Sequence, residues 1–399
     1  MRIAGIIAEY DPFHKGHAAH IAATRAENGG NASHIVVVMS GNFTQRGEPA
    51  LINKFYRTAM AIENGADLVL ELPLPWAMAP AESFAAGGIA ILKALGCVEL
   101  LSFGSECGDL SVLQQLADLS NLSDYPDTLR QILSTGVPYA AAGQMTASRL
   151  LGEEKAAHLA APNNTLGIEY IRAAQLQNAP FSFFTLQRQG ALHNETAPKQ
   201  GLASASLLRD MVRRDLTAEA TAYMPESAAL LLRDAVTEGK IALCTEKLEY
   251  ALLAQLRRMS EEDYMQLPWL SEGIENRLFR ISRTATNYAD LLTDTKTRRY
   301  PMARLRRVLW SALLGITAAD CTGLPPYIRV LGMNQRGREI LNIASPTLPL
   351  LTRAAQIKQM NRRCQRLFSL ECTATDLHAL CTPTPNPCGT DCTHKILVK

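Results

Sequence analysis

The chain contains no apolar run of the roughly 18 residues that a helix needs to cross a bilayer, so no membrane-spanning helix is expected. A secretory leader is not expected either, because the opening apolar run is about six residues long and Glu9 interrupts it. A strong charge bias is missing as well: the formal net charge is +2, and the overall field says little about partners. The nine cysteines are an odd number, and Cys97, Cys107, Cys244, Cys321 and Cys364 are scattered without the spacing of a disulfide framework. That usage suits a reducing compartment, so a cytoplasmic protein is expected. There is no internal repeat and no low-complexity tract.

What is present is the length and composition of a globular protein. With 399 residues, 47% hydrophobic and 20% charged, the chain can bury two cores, and residues 1–200 and 201–399 are expected to form two domains. In the first, strand-like runs at 2–8, 34–39, 67–72 and 98–103 alternate with helical patterns around 18–26, 53–63 and 81–95. A further strand at 181–187 follows a helix that begins near Leu166. This alternation predicts an α/β fold, a Rossmann-like parallel sheet covered on both faces, with ligands at the carboxyl ends of the strands. Beyond residue 200 the strand signal nearly vanishes. Helical periodicity at 206–214, 247–259, 272–283, 304–314 and 350–360 predicts a mostly α-helical second domain. The Pro- and Cys-rich tail from Thr382 is expected to be irregular.

The first strand runs into Glu9-Tyr10-Asp11-Pro12-Phe13-His14-Lys15-Gly16-His17, and a helix continues through Ala18, Ala19 and His20. Two imidazoles three residues apart share one face of a helix. Here that face is at the helix start, where unpaired N–H groups and the positive dipole end favour phosphate. Gly16 removes a side chain where a nucleotide would have to approach closely. The order strand, turn, His-x-Gly-His, helix resembles the first signature of the nucleotidyltransferase superfamily, whose chemistry is attack on the α-phosphate of ATP with loss of pyrophosphate. A metal site is not expected: His20 continues the spacing, but each step of three turns about 60° round a helix, and no Cys lies nearby.

Ala203-Ser204-Ala205-Ser206-Leu207-Leu208-Arg209 places hydroxyls at a helix start with a basic residue in its first two turns. It resembles the second signature of small-molecule adenylyltransferases, and it could equally be an N-cap with a surface arginine. Three further groups end strands or open helices: Gly104-Ser105-Glu106, the pair Asn163-Asn164, and Arg188, suited to a phosphate fork. The polar loop 41–47 also ends a strand. Lys54 and Arg57 share a helix face that either faces nucleotide or is simply solvated.

In the helical half, the run from Lys296 through Arg298, Arg299, Tyr300, Arg304 and Arg306 to Arg307 carries six basic residues and no acid. Such a patch neutralises RNA phosphates, and Tyr300 could stack on an unpaired base. In the tail, Cys372, Cys381, Cys388, Cys392 and His394 do not fit a zinc spacing and read as reduced thiols in a loosely structured end.

With these residues assembled, the sequence resembles the bacterial tRNA(Met) cytidine acetate ligases. The matching stretches are G-I-I-A-E-Y-D-P-F-H-K-G-H, M-S-G-N-F-T-Q-R-G-E-P-A, G-A-D-L-V-L-E-L-P, F-G-S-E, N-N-T-L-G-I-E-Y, S-E-G-I-E-N-R and K-T-R-R-Y-P-M-A-R-L-R-R, between Gly5 and Arg307. The resemblance implies activation of acetate by ATP to acetyl-adenylate, then transfer to the exocyclic amine of the wobble cytidine of elongator tRNA(Met). It implies ATP contacts along Ile7, Ala8, Glu9, Tyr10, Asp11, Pro12, Phe13, His14, Lys15, Gly16, His17, Ala18, Ala19 and His20. Further ATP contacts are implied at Gly104, at Asn163 or Asn164, and at Arg188. The superfamily signatures add Ser204 and Arg209 to ATP binding and give His14 and His17 the catalytic role, with Mg²⁺ carried in by the triphosphate. Position 205 is Ala where many superfamily members have Ser, and the Cys-rich tail has no counterpart in the family pattern. An adenylyltransferase for a small phosphorylated metabolite shares both signatures, but needs neither the helical half nor its basic run. A non-catalytic RNA-binding protein is the other rival, and intact His14, Gly16, His17 and Arg209 argue against it.

Overall fold

The computed structural model describes residues 1–137, 139–188, 201–271, 273–297 and 300–399. Five parallel strands make its centre: β1 (Ile3–Ala8), β2 (His34–Ser40), and, beyond a short hairpin of β3 (Phe43–Thr44) and β4 (Glu48–Pro49), β5 (Leu68–Leu72), β6 (Leu100–Ser105) and β7 (Ser182–Gln187). β1, β2 and β5 are near-continuous Val/Ile/Leu runs because both faces are covered by helices. The spatial order is β5-β2-β1-β6-β7. β1 pairs with β2 on one side and β6 on the other, so the order reverses at β1 and a crevice opens beyond its carboxyl end.

The sheet also draws on the second half of the chain. β8 (Ile328–Met333) pairs antiparallel with β5, β9 (Leu350–Leu351) pairs parallel with β8, and β10 (Leu397–Val398) extends the edge. β8 is one short, fully buried run without alternation, which is why periodicity misses it. The helix expected at 350–360 is absent: β9 and a 3₁₀ segment, Ala354–Gln359, stand there instead. Helices dominate the rest of this half and bury their own core, including Leu252, Leu278, Leu291 and Leu305, while Trp310, Leu314, Leu367 and Phe368 pack into the core beneath the sheet.

Two expectations about charge are corrected by burial. Lys54 and Arg57, on the helix α2 (Lys54–Glu63), are both 0% exposed. Arg57 donates to the carbonyls of Glu9, Ser40, Gly41 and Ile52, tying together the carboxyl ends of β1 and β2. Lys54 enters a buried cluster: its Nζ lies 2.5 Å from Glu71 and 2.8 Å from Asp391, and Arg329 pairs with the same two acids. Glu371 joins them, 3.7 Å from Lys54, and burial and then the charge of Glu71 push its pKa well up. The tail is therefore not loose. Asp391 is 1% exposed within this cluster, β10 completes the sheet edge, and Cys372 and Cys392 lie with sulfurs 3.8 Å apart as free thiols.

Candidate active site

The crevice at the reversal of strand order holds a cleft of about 490 Å³, which adjoins a second chamber of about 240 Å³. His14, His17, His20, Gly104, Arg188 and Ser204 line both. The chain leaves β1 through Tyr10, whose left-handed backbone (φ 51) turns it towards the helix α1 (Lys15–Arg25). The ring of Tyr10 meets that of His17 edge-on at 4.8 Å.

His14 is the N-cap of α1 and not part of its first turn. Its Nδ1 accepts the Gly16 amide at 3.0 Å, and Nδ1 of His17 accepts the His14 amide at 3.2 Å. A ring nitrogen that accepts a backbone N–H carries no proton, so each neutral imidazole must hold its proton on Nε2. The two rings stack at 3.7 Å. Burial, then repulsion from Arg188 and Arg209, lowers the His14 pKa to about 3. His17 is lowered well below its ordinary value by burial and then by His14, and His20 falls to about 4 by burial and Arg188. The pair thus offers two neutral, pre-oriented N–H donors at a helix N-terminus. Gly16 is required here, since a Cβ would stand 2.9 Å from Cε1 of His14.

Arginines surround this pair. Arg209 is 7% exposed and donates to the Asp11 carbonyl at 2.6 Å, while Ser204 caps its helix by accepting the Leu207 amide at 3.2 Å. Arg188, just past β7, donates to Asn163 Oδ1 at 3.4 Å, and burial lowers its pKa. The two asparagines part company. Asn163 lines the cleft, whereas Asn164 is 0% exposed and accepts the amides of Glu106 and Cys107, bracing the turn after β6.

Not every residue of the first motif faces the cleft. Ile7, Ala8, Glu9, Tyr10, Asp11, His14, Gly16, His17, Ala19 and His20 line one chamber or the other. Pro12, Phe13, Lys15 and Ala18 do not: Phe13 is core, and Lys15 donates to the Ala222 carbonyl at 2.7 Å. The three histidines share one cleft although they were expected to diverge, because His14 precedes the helix. Among the described residues, no three His, Cys, Asp or Glu side chains are placed so that they could hold a metal ion together.

The basic run is largely engaged inside the protein. Tyr300 is 6% exposed in the helical core, so its ring is not available to stack on a base. Arg304 donates to the Trp269 carbonyl at 3.0 Å, Arg306 pairs with Glu48, and Arg307 donates to the Gln45 carbonyl at 3.1 Å. Arg298 and Arg299 lie outside the described residues. Lys296 is exposed. The helix Met302–Leu314 thus docks on the hairpin that follows β2 and brings Arg307 and Ala303 to the cleft wall. Burial lowers the Arg307 pKa to about 10, with Arg304 adding repulsion. The apolar wall of Phe84, Phe103 and Tyr170 carries no local signal that would distinguish it from core.

Residues 1–391 match the family described as HIGH Nucleotidyl Transferase. The chain is similar to the tRNA(Met) cytidine acetate ligase of Acetivibrio thermocellus, 33% identical over 419 aligned residues with 100% of each chain covered. It is 36% identical over 386 residues to the protein of that name from Caldicellulosiruptor bescii, covering 95% of this chain and 94% of the other. Among solved structures, Thermotoga maritima TmcAL in its apo form superposes with a TM-score of 0.94 at 30% identity, covering 100% of this chain and 99% of that one. The same protein bound with alpha-thio ATP gives 0.91 at 29%, with the same coverage.

Proposed function

Because the chain belongs to the HIGH Nucleotidyl Transferase family, we propose that it is an ATP-dependent ligase. It activates acetate as acetyl-adenylate and acetylates the wobble cytidine of elongator tRNA(Met) to N4-acetylcytidine. The observation that carries this reading is the His14–His17 pair, fixed with both Nε2–H groups available beside Arg188 and Arg209 at the start of α1. Such donors match charge that grows on phosphate oxygens when a carboxylate displaces pyrophosphate from the α-phosphorus, so these side chains stabilise the leaving charge and do not themselves attack. Asn163, Ser204 and the glycine faces at 16 and 104 complete the nucleotide cleft. Mg²⁺ would arrive on the triphosphate: Asp11 has one oxygen on the Leu51 amide at 2.7 Å and the other 3.5 Å from Arg209, so the chain offers little of an oxygen cage.

In this reading residues 1–200 supply the ATP and acetate chemistry and residues 201–399 bind tRNA. Lys296, with Arg298 and Arg299, provides phosphate contacts, while Arg304 braces the Trp269 turn and Arg306 and Arg307 fix the docking hairpin at the cleft mouth. No described helix is long and apolar enough to cross a membrane, and a tRNA substrate fits a cytoplasmic setting. The test is to mix the purified protein with bulk bacterial tRNA and radiolabelled acetate, with and without ATP. ATP-dependent label in RNA is the expected result. ATP turnover with another acceptor and no label in RNA would reassign the cleft to a small-metabolite adenylyltransferase. Neither label nor turnover would leave a binding protein.

A further inference from the structure

The second half-reaction must dispose of a proton, and the cleft has one suitable place for it. Its charged lining is otherwise cationic, with the guanidinium groups of Arg46, Arg188, Arg209 and Arg307 beside the two imidazole N–H donors, and its neutral amides and hydroxyls, such as Asn163 and Ser204, are too weakly basic to keep a proton. Triphosphate and acetate are acceptors and match the guanidinium and imidazole donors. An attacking amine is a donor and needs the opposite. Two acids line the cleft, Glu9 and Asp11. Asp11 is committed to the Leu51 amide and to Arg209. Glu9 differs. Among the described residues, the hydrogen bond that reaches its carboxylate comes from the Gln45 amide to Oε1 at 2.7 Å, which leaves Oε2 for a ligand.

The location also fits. The Glu9 backbone is pinned by Arg57, which donates to its carbonyl at 2.6 Å, so the carboxylate projects from a fixed strand end. Gln45, which holds Oε1, accepts Arg307 from the helical half through its own carbonyl at 3.1 Å. Glu9 therefore stands at the seam of the two halves, one residue removed from Arg307 of the helical half.

We propose that Glu9 is the catalytic residue that takes the proton from the acceptor amine. The assignment rests on the function proposed above. As N4 attacks the acetyl carbonyl carbon, a C–N bond forms and the bond from that carbon to the adenylate oxygen breaks. AMP leaves with the electron pair, the N–H proton passes to the Glu9 carboxylate, and solvent then removes it. Burial raises the Glu9 pKa, which makes it a stronger base than an exposed glutamate, although the Gln45 amide and Arg46 pull the other way. The ionisable groups around it are Asp11, Arg46, Arg57, Tyr170 and Arg209.

The test is Glu9→Gln, which keeps the shape and the acceptor for Gln45. Single-turnover transfer from preformed acetyl-adenylate to tRNA should fall about 10²–10⁴-fold, well beyond whatever change acetate-dependent ATP–pyrophosphate exchange shows in the same variant. The wild-type transfer rate should rise with pH and then level off, and the variant should lack that acid limb. Transfer at the wild-type rate, or exchange reduced by the same factor as transfer, would overturn the assignment. Wild-type protein that catalyses exchange but never labels RNA would overturn the acceptor reading itself, and Glu9 with it.

Discussion

Acidification should weaken this fold through two imidazoles that are almost wholly out of water. His14 is 4% exposed and His378 2%. Burial depresses both, from an ordinary 6.5 to about 3 for His14 and to about 4 for His378; Arg188 and Arg209 reinforce the first, while a hydrogen bond to Ala50 opposes the second. Between the depressed and the ordinary value the unfolded chain binds the extra proton and the folded chain does not. Stability is then complete above about 6.5 and is lost as the pH falls towards the folded values. At about pH 5 each site costs roughly 2 kcal/mol relative to neutral pH, about 4 kcal/mol together. That is a large share of the roughly 5–15 kcal/mol by which domains are stable. His14 shows the structural side of this cost, because its Nδ1 must stay bare to accept the Gly16 amide. Urea unfolding of the wild type and of His378→Gln, at neutral pH and about pH 5, checks the reasoning. Gln can still donate to the Ala50 carbonyl, which His378 Nε2 reaches at 2.7 Å, but it does not titrate. The variant should therefore lose about 2 kcal/mol of acid sensitivity while keeping its neutral-pH exchange activity. The same pH dependence in both proteins would refute the argument.

His17→Ala should lower ATP–pyrophosphate exchange about 10²–10³-fold while filter binding of tRNA stays near wild type; equal loss of both in a folded protein would reject the division of labour between the halves. Gly16→Ala should push the His14 ring aside, since the new Cβ would lie 3.0 Å from Nδ1. Exchange should fall by about 10²-fold with circular dichroism unchanged. Lys54→Met leaves Glu71 and Asp391 with Arg329 as their one shared cation instead of two and should cost about 3–5 kcal/mol in urea unfolding. Adding Asp391→Asn should recover part of that loss.

The five parallel strands and the first motif are legible in the sequence because their signals are local: apolar runs bounded by turns, and a His-x-Gly-His step at a strand end. What is not legible depends on distant partners. Nothing around Lys54 announces Asp391, 337 residues away, and nothing around Arg306 announces Glu48, 258 residues away. The basic run therefore reads as an open RNA surface, although several of its members are held within the protein. Tyr300 reads as a stacking platform from its basic neighbours and is buried by a core that only the assembled helices create. Of the two asparagines, sequence could not choose. In the structure Asn164 accepts the amides of Glu106 and Cys107, 58 and 57 positions upstream, while Asn163 lines the cleft, a difference that only long-range contacts create.

The ammonium of Lys54 also sets a timetable. It is translated well before the carboxylate that lies 337 residues downstream, a delay of roughly 20–70 s at about 5–20 residues per second. Until Asp391 emerges from the ribosome, Lys54 has Glu71 and Arg329 joins the same carboxylate once β8 is made, but the second acid that bridges the two cations is missing. The nucleotide cleft lies in the part made first, yet its support arrives with the part made last. Completion of the cluster accordingly trails the strands that line the cleft, and a chain stalled before Asp391 would lack the acid that Lys54 and Arg329 share beside Glu71.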